Sequence, residues 1–374
     1  MHLYIHIPFC RQACHYCDFH FSTNTASKRA IVEAIAREII LRSSYLPTKK
    51  LETIYFGGGT PSLLDEAELN LLLSTVYTQF EVNPYAEITL EANPDDLSQE
   101  KLEQLSKVGI NRLSIGIQSF HEPHLTLLNR IHTAGEGENC VKLAQGAGIQ
   151  NISIDLIYAI PAPDHSILKN DIQKAFELNI SHISAYCLTI EPQTAFGSWL
   201  KKKKIRPIDE EFAASQFEIL VSSLRENGFE QYEISNFAAN QQYSKHNSSY
   251  WKQRPYLGVG PSAHSYDGIS REYNISNNAK YLAAIQLDVI PATYELLSPE
   301  DVTNEYLLTG LRTKWGVQRA KLDHLSNGKF RLQHADQLKS LSDKGWISIE
   351  DEIITLTESG KLFADRIASD LFID

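Results

Sequence analysis

Three of the chain's five cysteines, Cys10, Cys14 and Cys17, stand at C-x3-C-x2-C spacing in the run Cys10-Arg-Gln-Ala-Cys14-His-Tyr-Cys17. Thiolates hold iron–sulfur clusters, and a [4Fe–4S] cluster usually takes four of them. Three close cysteines with no fourth nearby leave one iron open to a ligand from outside the chain. Zinc is the competing metal. Structural zinc wants four protein ligands, commonly in two separated pairs, and His15 inside the loop is the available fourth. Unliganded thiols are the third reading. A disulfide is disfavoured, because the number of thiols is odd and no secretory signal accompanies them.

Other residues further along could do chemistry. Gly57-Gly58-Gly59-Thr60 bares consecutive backbone N–H groups and can form an anion-binding nest; an ordinary tight turn is the plainer alternative. Glu91, Gln118, Arg130 and Asp155 are polar residues in or just after apolar runs. An Asp in an apolar run is costly unless partnered, so Asp155 needs a partner. Local ion pairs or helix caps would explain each of them singly; a shared polar ligand would explain them together. His246 lies in Lys245-His246-Asn247-Ser248-Ser249-Tyr250-Trp251. An imidazole beside flat aromatic surfaces suits haem, while a structural histidine is the bland reading. His264 is a second candidate. Cys140 sits in a helical pattern and reads as core, and the Cys187 thiol reads as a small packed hydrophobe.

The elements that must position these residues alternate. Six β-like runs recur at Leu3–Ile7, Thr53–Phe56, Glu87–Glu91, Leu113–Ile117, Ile152–Ile157 and Ile183–Leu188. Amphipathic stretches lie between them at Ser27–Ser43, Asp65–Phe80, Ser98–Val108, Ala134–Ala147 and Ser166–Leu178. Strands alternating with helices predict a parallel sheet, and six units predict a partial barrel. In such barrels chemistry gathers at the strands' C-terminal ends, where the cysteine loop, the glycines and the polar set all fall. Asp209–Asn227 reads as a further helix. Phe229–Gln253 shifts to Asn, Gln, Ser and Tyr. From about Pro299 the pattern becomes helices, Asn304–Leu311 and Leu332–Lys344, with a hairpin of Trp346–Glu350 and Glu352–Leu356. The expected division is a barrel over 1–235, a connecting region over 236–298 and a winged-helix-like α+β module over 299–374.

At its cysteines and at Tyr4-Ile-His-Ile-Pro-Phe-Cys10 the chain resembles the radical S-adenosylmethionine (SAM) superfamily. Within it, the chain resembles the oxygen-independent coproporphyrinogen III oxidases and the HemW-type haem chaperones. The resemblance implies an α/β fold, a partial (β/α)6 barrel, with a [4Fe–4S] cluster on Cys10, Cys14 and Cys17. It also implies cofactor contacts from Tyr4, Tyr16, Gly57, Gly58, Gly59, Thr60, Glu91, Gln118, Arg130, Asp155 and Cys187. His246-Asn247-x-x-Tyr250-Trp251 matches the chaperones' HN-x-x-YW element, whose histidine is the implied haem ligand. The oxidases carry a fourth cysteine two places after the third, where this chain has Phe19, and a substantial segment ahead of the motif, where nine residues precede Cys10. Both features favour a chaperone that binds haem, SAM and a cluster, accepts electrons from a donor, and passes haem to haemoproteins, membrane-associated ones among them. The oxidase is the alternative.

Composition narrows the field further. With 374 residues, 43% of them apolar, the chain can hold a barrel plus a smaller module. A net charge of −11 argues against a nucleic-acid partner. Lys201–Lys204 with Arg206 form a short basic run that reads as a solvated loop. The start lacks the basic and apolar regions of a signal peptide, so a reducing cytoplasm is the expected location.

Overall fold

The computed structural model describes all 374 residues. Six strands, β1 (His2–Ile7), β2 (Lys50–Gly58), β3 (Glu81–Ala92), β4 (Arg112–Gln118), β5 (Asn151–Tyr158) and β6 (His182–Cys187), pair parallel in chain order. Helices α1 (Lys28–Leu41), α2 (Glu66–Gln79), α3 (Gln99–Lys107), α4 (Glu122–Leu128), α5 (Ala134–Gly146) and α6 (Ser166–Glu177) make the crossovers. Strands covered on both faces read as continuous apolar runs, and every residue of β4 is buried. The helices start where their caps require. Asp65 and Glu68 close a capping box at α2, and Thr133 and Glu136 do so at α5.

The sheet does not stop at six strands. After α7 (Ala195–Lys201) and α8 (Glu210–Glu226), β7 (Phe229–Glu233) and β8 (Asn236–Ala239) extend it beyond β6. After α9 (Lys245–Trp251), β9 (Tyr256–Val259) pairs parallel with β1 on the opposite side. β10 (His264–Tyr266), β11 (Ser270–Asn274), α10 (Asn278–Ile285) and β12 (Ala292–Leu296) follow. The strand order is β12-β11-β10-β9-β1-β2-β3-β4-β5-β6-β8-β7. Residues 236–298, expected to connect, therefore contribute five strands to the main sheet. Those strands are three to five residues long, too short for an alternation pattern to show.

One buried carboxylate ties this extension to α1. Glu38, on the apolar face of α1, is fully buried. It accepts hydrogen bonds from Gly260 N at 2.7 Å, Tyr281 OH at 2.6 Å and Asn274 Nδ2 at 2.7 Å. Arg42, one turn on, bonds Glu272 on β11 at 2.5 Å.

A second core begins in α11 (Pro299–Leu311) and runs from Leu307 to Ile373. It packs helices Arg319–Leu325 and Lys329–Asp343 on a small antiparallel sheet of β13 (Val317–Gln318), β14 (Ile347–Glu350) and β15 (Ile353–Leu356). Arg312 joins it to the main sheet by reaching buried Glu233 on β7 at 3.0 Å. No helix is long and apolar enough to cross a membrane.

Candidate functional site

The cysteine loop is clamped from three sides. Its start is held to the glycine segment by Gly59 N→Ile7 O at 2.9 Å and Thr60 N→Phe9 O at 2.7 Å. Its two limbs close on each other through Cys10 N→Ser22 O at 3.1 Å and Ser22 N→Pro8 O at 2.9 Å. Its middle meets the end of α4, where His15 N donates to Leu128 O at 3.1 Å and Asn129 Nδ2 to Ala13 O at 2.7 Å. This leaves Cys10, Cys14 and Cys17 half-buried on one wall of a cavity of about 530 Å³. Burial pushes the Cys10 thiol up to about 12 and the Cys17 thiol up to about 11. Metal binding must therefore expel protons.

The donor set fits a cluster better than a single ion. No three His, Cys, Asp or Glu side chains converge closely enough to hold one metal, as tetrahedral zinc requires. A cluster spreads its cysteines over separate irons. His15 does not line the cavity with the three cysteines: its Nδ1 bonds Leu127 O at 2.9 Å and its ring packs on Trp199, 4.6 Å between centroids.

The opposite wall holds most of the polar set. Gly58, Gly59, Thr60, Glu91, Gln118, Arg130, Asp155, Cys187 and Tyr16 all line the same cavity. Arg130 is the hub: it donates to Cys14 Sγ at 3.3 Å, Asn93 Oδ1 at 2.6 Å and Gly116 O at 2.8 Å. Glu91 accepts from Tyr55 OH at 2.7 Å and from Gly58 N at 3.2 Å. Asp155 has its partner in Ser114, whose hydroxyl donates at 3.3 Å. Burial pushes the Glu91 carboxyl up to about 7, against the help of Tyr55, and the Asp155 carboxyl up to about 6. Gln118 bends back into the site with φ of 68°. Gly58 needs its lack of side chain, since at φ 106° a Cβ would meet the His6 ring at 2.6 Å.

Two residues stand differently from expectation. Gly57 lies outside the cavity lining, packed under Tyr4, Tyr55 and Glu91. The Cys187 thiol is half-buried on the cavity wall and not in the core, because β6 ends there. Cys140 is buried as expected.

Tyr4 faces a second cavity of about 570 Å³ on the β9–β10 side, which α11 borders with Glu305 and Thr309. Aromatic rings dominate its wall, and Phe19 belongs to the lining of both cavities.

His246 does not open to either cavity. It is 1% exposed. Its Nδ1 meets Thr53 Oγ1 at 2.6 Å and its Nε2 meets Tyr250 OH at 2.8 Å. Tyr55 stacks on its ring at 4.7 Å. Glu87 receives the N–H groups of Lys245 and His246 at 3.0 and 2.9 Å, fixing the start of α9 against β3. Burial holds the imidazole well below its usual range, so it is neutral. An iron ligand needs a free ring nitrogen, and both are occupied here.

Asn93, Tyr55 and Ser114 support the site directly and were not assigned a role from sequence. Their signal was position: each is a polar residue on or just after a barrel strand.

Two family models match the chain, the radical SAM superfamily over residues 4–171 and the HemN C-terminal domain over residues 297–363. The haem chaperone HemW of Bacillus subtilis is 34% identical over 97% of each chain. Escherichia coli HemW is 37% identical over 70% of this chain and 69% of its own. Among solved structures, the coproporphyrinogen III oxidase HemN of E. coli superposes with a TM-score of 0.84 at 22% identity, covering 99% of this chain and 89% of its own. That last likeness is one of fold.

Proposed function

We infer the function from one premise: the chain belongs to the radical SAM superfamily and, within it, to the HemW haem-chaperone family. On that premise it binds haem and passes it to a recipient haemoprotein, membrane-associated haemoproteins included. Cys10, Cys14 and Cys17 would hold a [4Fe–4S] cluster. Glu91, Gln118, Arg130, Asp155 and the Gly58–Thr60 backbone would hold SAM across from it. A cluster held there, once reduced by an electron donor, would supply one-electron chemistry toward the SAM sulfonium.

The residues' own tasks follow from the geometry. Arg130 spans the Cys14 sulfur and Asn93, so it registers the cluster loop against the end of β3. Glu91 and Asp155 present carboxyl groups to a cationic ligand. Phe19, largely exposed, lines both cavities at the position where the oxidases place a further cysteine. All five cysteines are free, which suits a reducing cytoplasm.

The observation that carries this reading is the pair of adjoining cavities, one with the cluster and SAM residues, the other aromatic. The test is anaerobic reconstitution followed by separate incubation with haem and with coproporphyrinogen III. Haem should bind and coproporphyrinogen III should remain unchanged; conversion without haem binding would establish the oxidase instead. Reconstituted protein should carry about four irons and four sulfides. Joint replacement of Cys10, Cys14 and Cys17 by Ala should abolish the cluster absorbance, while Cys140→Ala leaves it.

A further inference from the structure

The second cavity offers a metal ligand that His246 does not. Four histidines lie in or near it; two of them have both ring nitrogens bonded and a third has one. His6 meets Tyr4 OH at 3.1 Å and His20 O at 2.9 Å. His20 Nε2 meets Asn278 Oδ1 at 2.8 Å. His246 has both nitrogens bonded. His264, at the start of β10, lines the cavity and is exposed, and neither of its ring nitrogens has a hydrogen-bond partner. Tyr273 stacks on its ring at 5.6 Å and holds its plane.

The charges are similarly asymmetric. Arg271 is already paired, with Glu295 at 3.8 Å and closely with Glu305. Arg254, also on the cavity wall, is exposed and makes no ion pair. Between these groups lie Tyr256 and Trp251, and the buried Trp251 Nε1 has no acceptor. A flat apolar ring with an iron at its centre and carboxylates at its edge matches this arrangement of one free imidazole, aromatic walls and one free guanidinium. The volume of about 570 Å³ lies in the range of small-molecule sites.

We propose that the second cavity is the haem site, with His264 as the iron ligand and Arg254 as the partner of a haem propionate. This rests on the haem-chaperone reading and places its cargo. His246 is then a positioning residue: its bonds to Thr53 and Tyr250 hold α9, and with it Tyr250 and Trp251, against the barrel. Bound there, haem would stand next to the cluster cavity, with Phe19 lining both cavities.

The test is spectroscopic titration of the full chain with ferric haem and with its dimethyl ester, which lacks free propionates. Wild type should bind haem with a defined Soret band. His264→Ala should shift that band and lower affinity by about tenfold or more, the scale of disturbing a metal site, and added imidazole should restore the band. The position is exposed, so the variant should fold and keep its cluster absorbance. Arg254→Gln should weaken haem binding several-fold and leave binding of the ester unchanged. Wild-type affinity and spectrum in His264→Ala would overturn the ligand assignment. Equal loss of haem and ester in Arg254→Gln would overturn the propionate contact. Absence of haem binding by wild type would instead overturn the functional reading itself, and the site with it.

Discussion

Glu91 and Asp155 face the cavity of the three cysteines as half-buried acids, and desolvation raises them to about 7 and about 6. A glutamate in the unfolded chain titrates near 4.5. Between 4.5 and about 7 the folded state therefore binds more protons at Glu91 than the unfolded state does. Stability at this position is fully present below 4.5 and is lost as pH rises through about 7. Glu91→Gln removes that titration. Melting temperatures compared at pH 5 and pH 7.5 should fall more for wild type than for the variant; equal slopes would mean that Glu91 is ionised throughout. A cationic ligand favours the charged carboxylate, so SAM affinity in wild type should rise with pH across the same window.

At the scale of elements, the second cavity depends on how β9 to β12 are held. Glu38 is the tie: it receives three hydrogen bonds from residues beyond position 258 while sitting in α1. Glu38→Ala would leave Gly260 N–H, Tyr281 OH and Asn274 Nδ2 without their acceptor, and Arg42 with less compensation. Breaking such a buried charged network costs about 3–5 kcal/mol. Denaturant unfolding should show that loss, and haem affinity should fall more than SAM affinity, because β10 carries the proposed haem ligand His264 while β2 to β5 carry most of the residues proposed to hold SAM. A loss below about 1 kcal/mol, the worth of one ordinary hydrogen bond, would mean that water replaces the carboxylate.

At the scale of the whole molecule, two hydrophobic cores meet across Arg312 and Glu233. The Glu233 side chain is 1% exposed, while Arg312 also reaches exposed Asp365 at 2.6 Å. Arg312→Ala would strand a buried carboxylate and loosen the C-terminal module, which borders the second cavity through α11. The expected result is lower haem affinity and earlier proteolysis near Pro299, with the cluster absorbance unchanged. Loss of the cluster in this variant would show that the module supports the whole barrel.

The sequence by itself determined what is local. Six apolar runs in alternation with capped amphipathic helices specify the parallel strands, because strand and helix periodicities are properties of neighbouring residues. The cysteine spacing and the polar residues at strand ends likewise named most of one cavity wall, because a parallel sheet brings all its C-terminal ends together. Tertiary structure alone decided the rest. β9 pairs with β1 across some 250 positions of chain, and no periodicity reports a pairing so distant. Glu38 sat in view on an apolar helix face, yet its partners lie beyond position 258. His246 and His264 each stand among aromatic residues in the sequence. Only packing shows that the first has spent both nitrogens on Thr53 and Tyr250, while the second keeps both free beside an open cavity.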